Sequence, residues 1–203
     1  MSKKRTITVI TLLLAIALAG GTAVVAGASR DGATATTPMV TPDWIADTPT
    51  DSTIGVDHGF IEAGEAISPF ADDLPAIANL EPALRAAMQA AARAAINDDV
   101  EFVVTSGWRS ADYQQKLLDD AILEYGSVEE AGEFVLSPDD SAHVTGEAVD
   151  IGRTDANSWL SQHGADYGLC QTYANEMWHF ELATTPGGRC PPQLPNAHSQ
   201  SST

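Results

Sequence analysis

Ser141-Ala-His-Val-Thr-Gly-Glu-Ala-Val-Asp150 is the stretch on which the reading turns. His143 and Asp150 are both metal-ligating residue types, and Gly146 between them permits the tight turn that folds the segment back on itself. The stretch reads as a loop from Leu136 to Ala142 followed by a short apolar strand, Ala148 to Ile151, with both side chains facing one point. Further on, Glu176-Met-Trp-His179 supplies a second imidazole and a free carboxylate. Met177 to Leu182 alternates around Trp178, His179 and Phe180 and reads as a second strand. Two imidazoles and one carboxylate are a common ligand set for a catalytic zinc that keeps its fourth position for water. Bound zinc lowers the pKa of that water to about 7, and a nearby carboxylate can then take its proton. One zinc ion is therefore expected at His143, Asp150 and His179, with Glu176 as the general base. On a strand, positions i and i+3 point to opposite faces, so Glu176 is expected in the turn before the strand.

Outward from this core, the chain mixes helices and short strands without a regular βαβ repeat, which indicates an α+β domain. Leu80 to Ile96 is a helix: Pro82 suits its first turn, and Leu84, Met88, Ala91, Ala92 and Ala95 share one stripe. Glu101 to Thr105 is a strand rich in β-branched residues. Ser110 is placed to cap a helix over Ala111 to Tyr125, stopped by Gly126. Ser127 followed by Glu130 is a capping-box pattern that opens a short third helix. Asp155 to Tyr167 is a fourth helix, ended by Gly168. Trp178 is expected in the core, Ser110 only as a cap, and His58, His163 and His198 show no partner pattern. Acidic pairs such as Asp72-Asp73 and Asp139-Asp140 are most simply a solvated face.

Ser141-x-His143-x-x-Gly146-x-Ala148-x-Asp150 and Glu176-x-Trp178-His179 resemble the two zinc motifs of the VanY-type D-alanyl-D-alanine carboxypeptidases. Ser106-Gly-Trp-Arg109-Ser110-x-x-x-Gln114 resembles a third segment of that family, and the three occur in family order across about residues 65 to 192. The resemblance implies the hedgehog/D-Ala-D-Ala peptidase fold, a single domain with a small, mostly antiparallel sheet flanked by helices. It implies zinc at His143, Asp150 and His179, and Glu176 as base and then as acid toward the leaving amine. It also implies Arg109 as the group that binds the substrate carboxylate or the oxyanion, a task suited to a guanidinium. Ser141 and Gln114 would help to hold the peptide end. Trp108 stands where the family more often has Tyr, which leaves any role for a phenol there without a carrier. Met177 replaces the more usual Pro between Glu and Trp. The implied activity is zinc-dependent hydrolysis of the terminal D-Ala-D-Ala bond of peptidoglycan stem peptides. An L,D-carboxypeptidase, a D,D-dipeptidase, an endopeptidase and a non-catalytic wall-binding module share the motifs.

The rest of the 203-residue chain bounds the setting. Lys3, Lys4 and Arg5 precede an apolar run, Ile7 to Ala19, and Ala26-Gly27-Ala28 offers a small-x-small cleavage site. Residues 1–28 thus read as a signal peptide or signal anchor, and both readings place the remainder outside the cytoplasm. Residues 29–56 read as a Thr/Ala/Pro-rich tether, 57–192 as the peptidase domain and 193–203 as a disordered tail. Removing the three N-terminal cations leaves 7 basic residues against 28 acidic, a net charge of −21. That balance excludes nucleic acid as a partner and disfavours anionic lipid, so membrane contact is expected only through the N-terminal anchor. A monomer is expected. In an exported chain the two cysteines, Cys170 and Cys190, are expected to form a disulfide. No Gly-x-Ser-x-Gly or Ser-x-x-Lys nucleophile motif competes with the metal reading.

Overall fold

Short β-branched and apolar stretches cannot bury themselves alone, and here they are assembled into one antiparallel sheet. The computed structural model describes residues 54–202, so the signal segment and all but the end of the tether lie outside the described residues. Four strands, β1 (Val103–Ser106), β2 (Ala148–Gly152), β3 (Leu169–Gln171) and β4 (His179–Leu182), run in the order β1-β2-β4-β3. All three pairings are antiparallel. The expected strands are all present with shifted ends, and β3 is an addition that the sequence did not announce. It is only three residues long, too short to show a period.

The register decides what each face carries. Val149 pairs with Phe180, and Val104 with Ile151. These side chains are fully buried or nearly so, on the face covered by helices α2 (Pro82–Ala95) and α6 (Thr154–His163). Full burial of a side chain such as Phe180 is worth roughly 1.5–3 kcal/mol. Successive side chains alternate across a strand, so the next residues, Asp150 and His179, emerge on the opposite face, directly across from each other.

Helix α2 forms as expected. Glu81 caps it by accepting from the Ala83 amide at 2.7 Å, Pro82 opens it, and the stripe Leu84, Met88, Ala91, Ala92 and Ala95 is buried. A 3-10 turn, Ile96–Asp98, continues it, and Asp98 accepts the indole N–H of Trp159. A short α1 (Pro75–Ala78) precedes it. Ser110 caps α3 (Ala111–Tyr125) through the Tyr113 amide, and Ser127 caps α4 (Val128–Ala131) through the Glu130 amide. The expected fourth helix divides into α6 and a 3-10 turn, Gly164–Tyr167, before Gly168 in the left-handed region. The Cys170–Cys190 disulfide is formed.

Three expectations are corrected. His143 is not on a loop but on a single helical turn, α5 (Ala142–Thr145). His58 has a partner: its Nδ1 lies 2.7 Å from the Ser110 hydroxyl. The last residues do not trail free. Leu194 makes a parallel bridge with Tyr173, and Ala197 opens a 3-10 helix with its own side chain buried. Among the described residues, no helix is long and apolar enough to cross a membrane.

Candidate active site

The opposed pair Asp150 and His179 forms the floor of the site, and α5 delivers His143 to it. Gly146 makes this delivery possible. It sits at φ +78°, and a Cβ there would lie 2.5 Å from the Asn79 carbonyl oxygen. The loop after β1 then holds α5 in place. Arg109 N–H donates to the His143 carbonyl at 3.1 Å, and the Trp108 indole N–H donates to the Val144 carbonyl at 3.1 Å. Trp108 thus serves as a strut for the helix that carries His143. Gly107 in the same loop runs so close to the Ala76 carbonyl that a side chain would collide with it.

The three expected ligands come together and are buried. One donor atom from each lies within 4.8 Å of the others. His143 Nε2 is 3.4 Å and His179 Nδ1 is 3.3 Å from Asp150 Oδ1. The far ring nitrogen of each histidine is engaged elsewhere. His143 Nδ1–H donates to the Gly107 carbonyl at 2.8 Å, and His179 Nε2–H donates to Glu181 at 2.8 Å. Such partners fix the tautomer and turn the free nitrogen toward a metal. Asp150 is held in the same manner: its Oδ2 accepts from Arg109 at 3.1 Å, while Oδ1 is buried with no hydrogen-bond partner. Orphaned buried oxygens are costly. An oxygen facing two imidazole nitrogens is the arrangement a cation satisfies, so the residues fit a divalent ion.

Glu176 lies in the turn before β4, as expected, with its amide bonded to the Tyr173 carbonyl and its own carbonyl accepting from the His179 amide. Its Oε2 is 3.8 Å from His179 Nδ1, and Oε1 is buried without a hydrogen-bond partner. Burial raises this carboxyl to about 7, with the Asp150 charge adding to the rise. Asp150 behaves oppositely. Burial pushes it up, but the neighbouring His143 and His179, with the Arg109 charge, outweigh burial and hold it well below the usual range. Burial also pushes His143 down, and Arg109 adds to that. For His179, the Asp150 and Glu181 carboxylates beside its two nitrogens overcome burial and raise it to about 9.

Arg109 is pinned rather than free to swing. Nε donates to the Ser106 hydroxyl at 2.8 Å, Nη1 to Gln114 at 3.1 Å and Nη2 to Asp150. Gln114 is fully buried in α3, and its amide N–H donates to the Leu136 carbonyl. Its polar atoms are thus directed at Arg109 and the chain after α4. Ser141 precedes α5 and gives it no side-chain cap. It faces a cavity of about 210 Å³ together with Arg109, Gln114 and the His143, Asp150 and His179 cluster. Trp178, expected in the core and packing beside the site, does stand at this cavity but is 42% exposed rather than buried. It occupies a turn ahead of β4, where strand alternation does not apply.

Three contributors escaped the sequence reading. Glu181 shares the site face of β4 with His179 by the period-2 rule, a signal that was present but competed with many other acidic residues. Tyr173 packs its ring 4.9 Å from the His179 ring, and burial keeps its phenol protonated. The Gly107 carbonyl, a backbone group, leaves no trace in composition.

The chain is similar to a D-alanyl-D-alanine carboxypeptidase of Enterococcus faecalis, 30% identical over an alignment of 112 residues, with 43% of this chain and 42% of that protein covered. It thus spans less than half the length of that curated relative. Among solved structures it is similar to VanYB in complex with D-alanine-D-alanine, at 25% identity and a TM-score of 0.48 over 50% of this chain and 70% of that one. It is also similar to the LdcB LD-carboxypeptidase, at 25% identity and a TM-score of 0.46 over 50% of this chain and 58% of that one. The family model for VanY, D-alanyl-D-alanine carboxypeptidase, matches residues 78–185, a span that holds every residue of the cluster just described, and the chain belongs to that family.

Proposed function

We propose that this protein is a zinc-dependent D,D-carboxypeptidase that removes the terminal D-alanine from peptidoglycan stem peptides, as a monomer outside the cytoplasm. The observation that carries the reading is the convergence of His143 Nε2, Asp150 Oδ1 and His179 Nδ1 beside the buried, unpartnered Oε1 of Glu176. His143, Asp150 and His179 would hold one zinc ion. When bound, that ion supplies Lewis-acid polarisation of the scissile carbonyl and of the attacking water.

The chain's own residues do the rest. Glu176, buried beside the cluster with Oε1 unpartnered, takes a proton from the attacking water at that oxygen and returns it to the leaving amine. Arg109 presents its remaining N–H groups to the substrate's terminal carboxylate or to the developing oxyanion. Its anchoring by Ser106, Gln114 and Asp150 means that little rearrangement is needed when substrate arrives. Ser141 and, through Arg109, Gln114 complete the peptide-end pocket.

A purely structural or wall-binding metal site would need neither a raised carboxyl beside the ligands nor a pinned guanidinium. The test is digestion of a synthetic stem pentapeptide ending in D-Ala-D-Ala, with products identified by mass. Single D-alanine is expected. Release of the D-Ala-D-Ala dipeptide, cleavage only of a tetrapeptide, or cleavage within a crosslinked peptide would replace the reading with a dipeptidase, L,D-carboxypeptidase or endopeptidase respectively. Binding to sacculi without any product would replace it with a binding module.

A further inference from the structure

The cavity at the metal cluster has two kinds of lining. One is the polar group already described. The other is apolar and includes Leu117, Phe134, Leu136 and Ala197. The first three come from α3 and from the segment after α4. Ala197 comes from the end of the chain, outside the span matched by the family. It is 3% exposed, whereas its neighbours Pro195 and His198 are exposed.

This end of the chain is built into the fold at several points. The disulfide fixes Cys190 to Cys170 on β3. Beyond it, Leu194 N–H donates to the Thr172 carbonyl at 2.9 Å, and Ala174 N–H donates to the Leu194 carbonyl at 2.8 Å. Asn196 then turns the chain: its Oδ1 accepts from the Ser199 amide at 3.1 Å and hydroxyl at 2.8 Å. On the far side the His198 ring lies against Gly132, where a Cβ would meet its Nδ1 at 3.4 Å. The segment therefore runs from the loop that carries Tyr173 and Glu176 to the chain just after α4. Ala197 sits between these supports.

We infer that the C-terminal segment around Ala197 is a wall of the substrate pocket, and that the small side chain of Ala197 sets the size of the substrate side chain accepted there. The inference rests on the proposed carboxypeptidase reading. A cavity of about 210 Å³ is small beside the roughly 300–1,000 Å³ of pockets for drug-sized ligands. It suits one short aliphatic residue with its carboxylate near Arg109. Ala197 is buried and lines the cavity, so a larger residue there adds volume at the cavity wall, and packed interiors respond to even one added methylene.

The experiment uses the full chain with zinc and synthetic stem peptides ending in glycine, D-alanine or D-valine. Cleavage rates and binding by titration calorimetry are measured for wild type, Ala197→Leu and Ala197→Gly, with zinc content measured in each. Ala197→Leu should keep its zinc, raise KM for the D-alanine peptide about tenfold or more, and spare the glycine peptide relative to it. Ala197→Gly, which adds no bulk and threatens folding least, should shift preference the other way, toward D-valine. Cleavage of the three peptides in wild-type proportions by both variants overturns the inference and leaves the carboxypeptidase reading intact. Wild type that binds the peptides without cleaving them, with binding lost in Ala197→Leu, overturns that reading and keeps the wall. Wild type that neither binds nor cleaves them overturns both.

Discussion

At the scale of single residues, the proposed function turns on Glu176. Its carboxylate is buried beside ligands that are already held by other partners, so it has no structural task to perform. Glu176→Gln should therefore bind zinc as wild type does, yet lose about 10²–10⁴-fold in kcat for D-alanine release. Loss of zinc together with activity would instead make Glu176 a ligand. The same carboxyl predicts a stability effect in the metal-free protein. Its folded pKa of about 7 lies above the ordinary 4.5. The stability it contributes is fully present below about pH 4.5 and is lost as pH rises through about 7. The melting temperature of metal-free wild type should fall relative to Glu176→Gln between pH 5 and pH 8. Parallel curves across that range would contradict the raised pKa.

At the scale of elements, the sheet register does the positioning. Because Asp150 and His179 are paired across β2 and β4, one pairing places two ligands on one face. The same alternation places Glu181 two residues on, where it accepts from His179. Glu181→Ala should weaken zinc affinity about 10–100-fold, measured by chelator competition, while the sheet stays folded. Unchanged affinity would show that strand packing alone orients the His179 ring. The sequence disclosed these elements unevenly. The clustering of His143, Asp150 and His179 was legible because motif spacing is local information. Helix α2 was legible because a buried stripe and an N-terminal Pro coincide. The support behind the ligands was not. The Gly107 carbonyl, the Tyr173 ring and the Glu181 carboxylate act on histidines through tertiary contact, and their residue types are common elsewhere in the chain. Trp178 was misplaced because an aromatic residue beside a strand looks like core until the turn is seen.

At the scale of the whole molecule, the described residues form an α+β fold in which one sheet face is core and the other is chemistry. The loop after β1, the turn α5 and the turn before β4 meet over that second face. Arg109 joins the first of these to Asp150 on β2. The C-terminal segment, expected as a polar tail, lies alongside, tied in by Cys190. The disulfide was legible from cysteine count and the expected export, but the segment's course was not, since Pro-rich polar composition resembles disorder. Replacing Cys170 and Cys190 by Ser should lower stability by about 3 kcal/mol in the chain-entropy view, read by denaturant unfolding. A loss well under 1 kcal/mol would mean that the backbone bonds of Leu194 hold the segment by themselves.

The central claim is that the His143, Asp150 and His179 cluster is a metal-dependent hydrolytic centre. Its most direct test is release of D-alanine from a stem pentapeptide ending in D-Ala-D-Ala, measured before chelation, after chelation and after zinc is added back. The account predicts release that disappears when the metal is stripped and returns with one equivalent of zinc. Undiminished release from protein shown to be metal-free would contradict it.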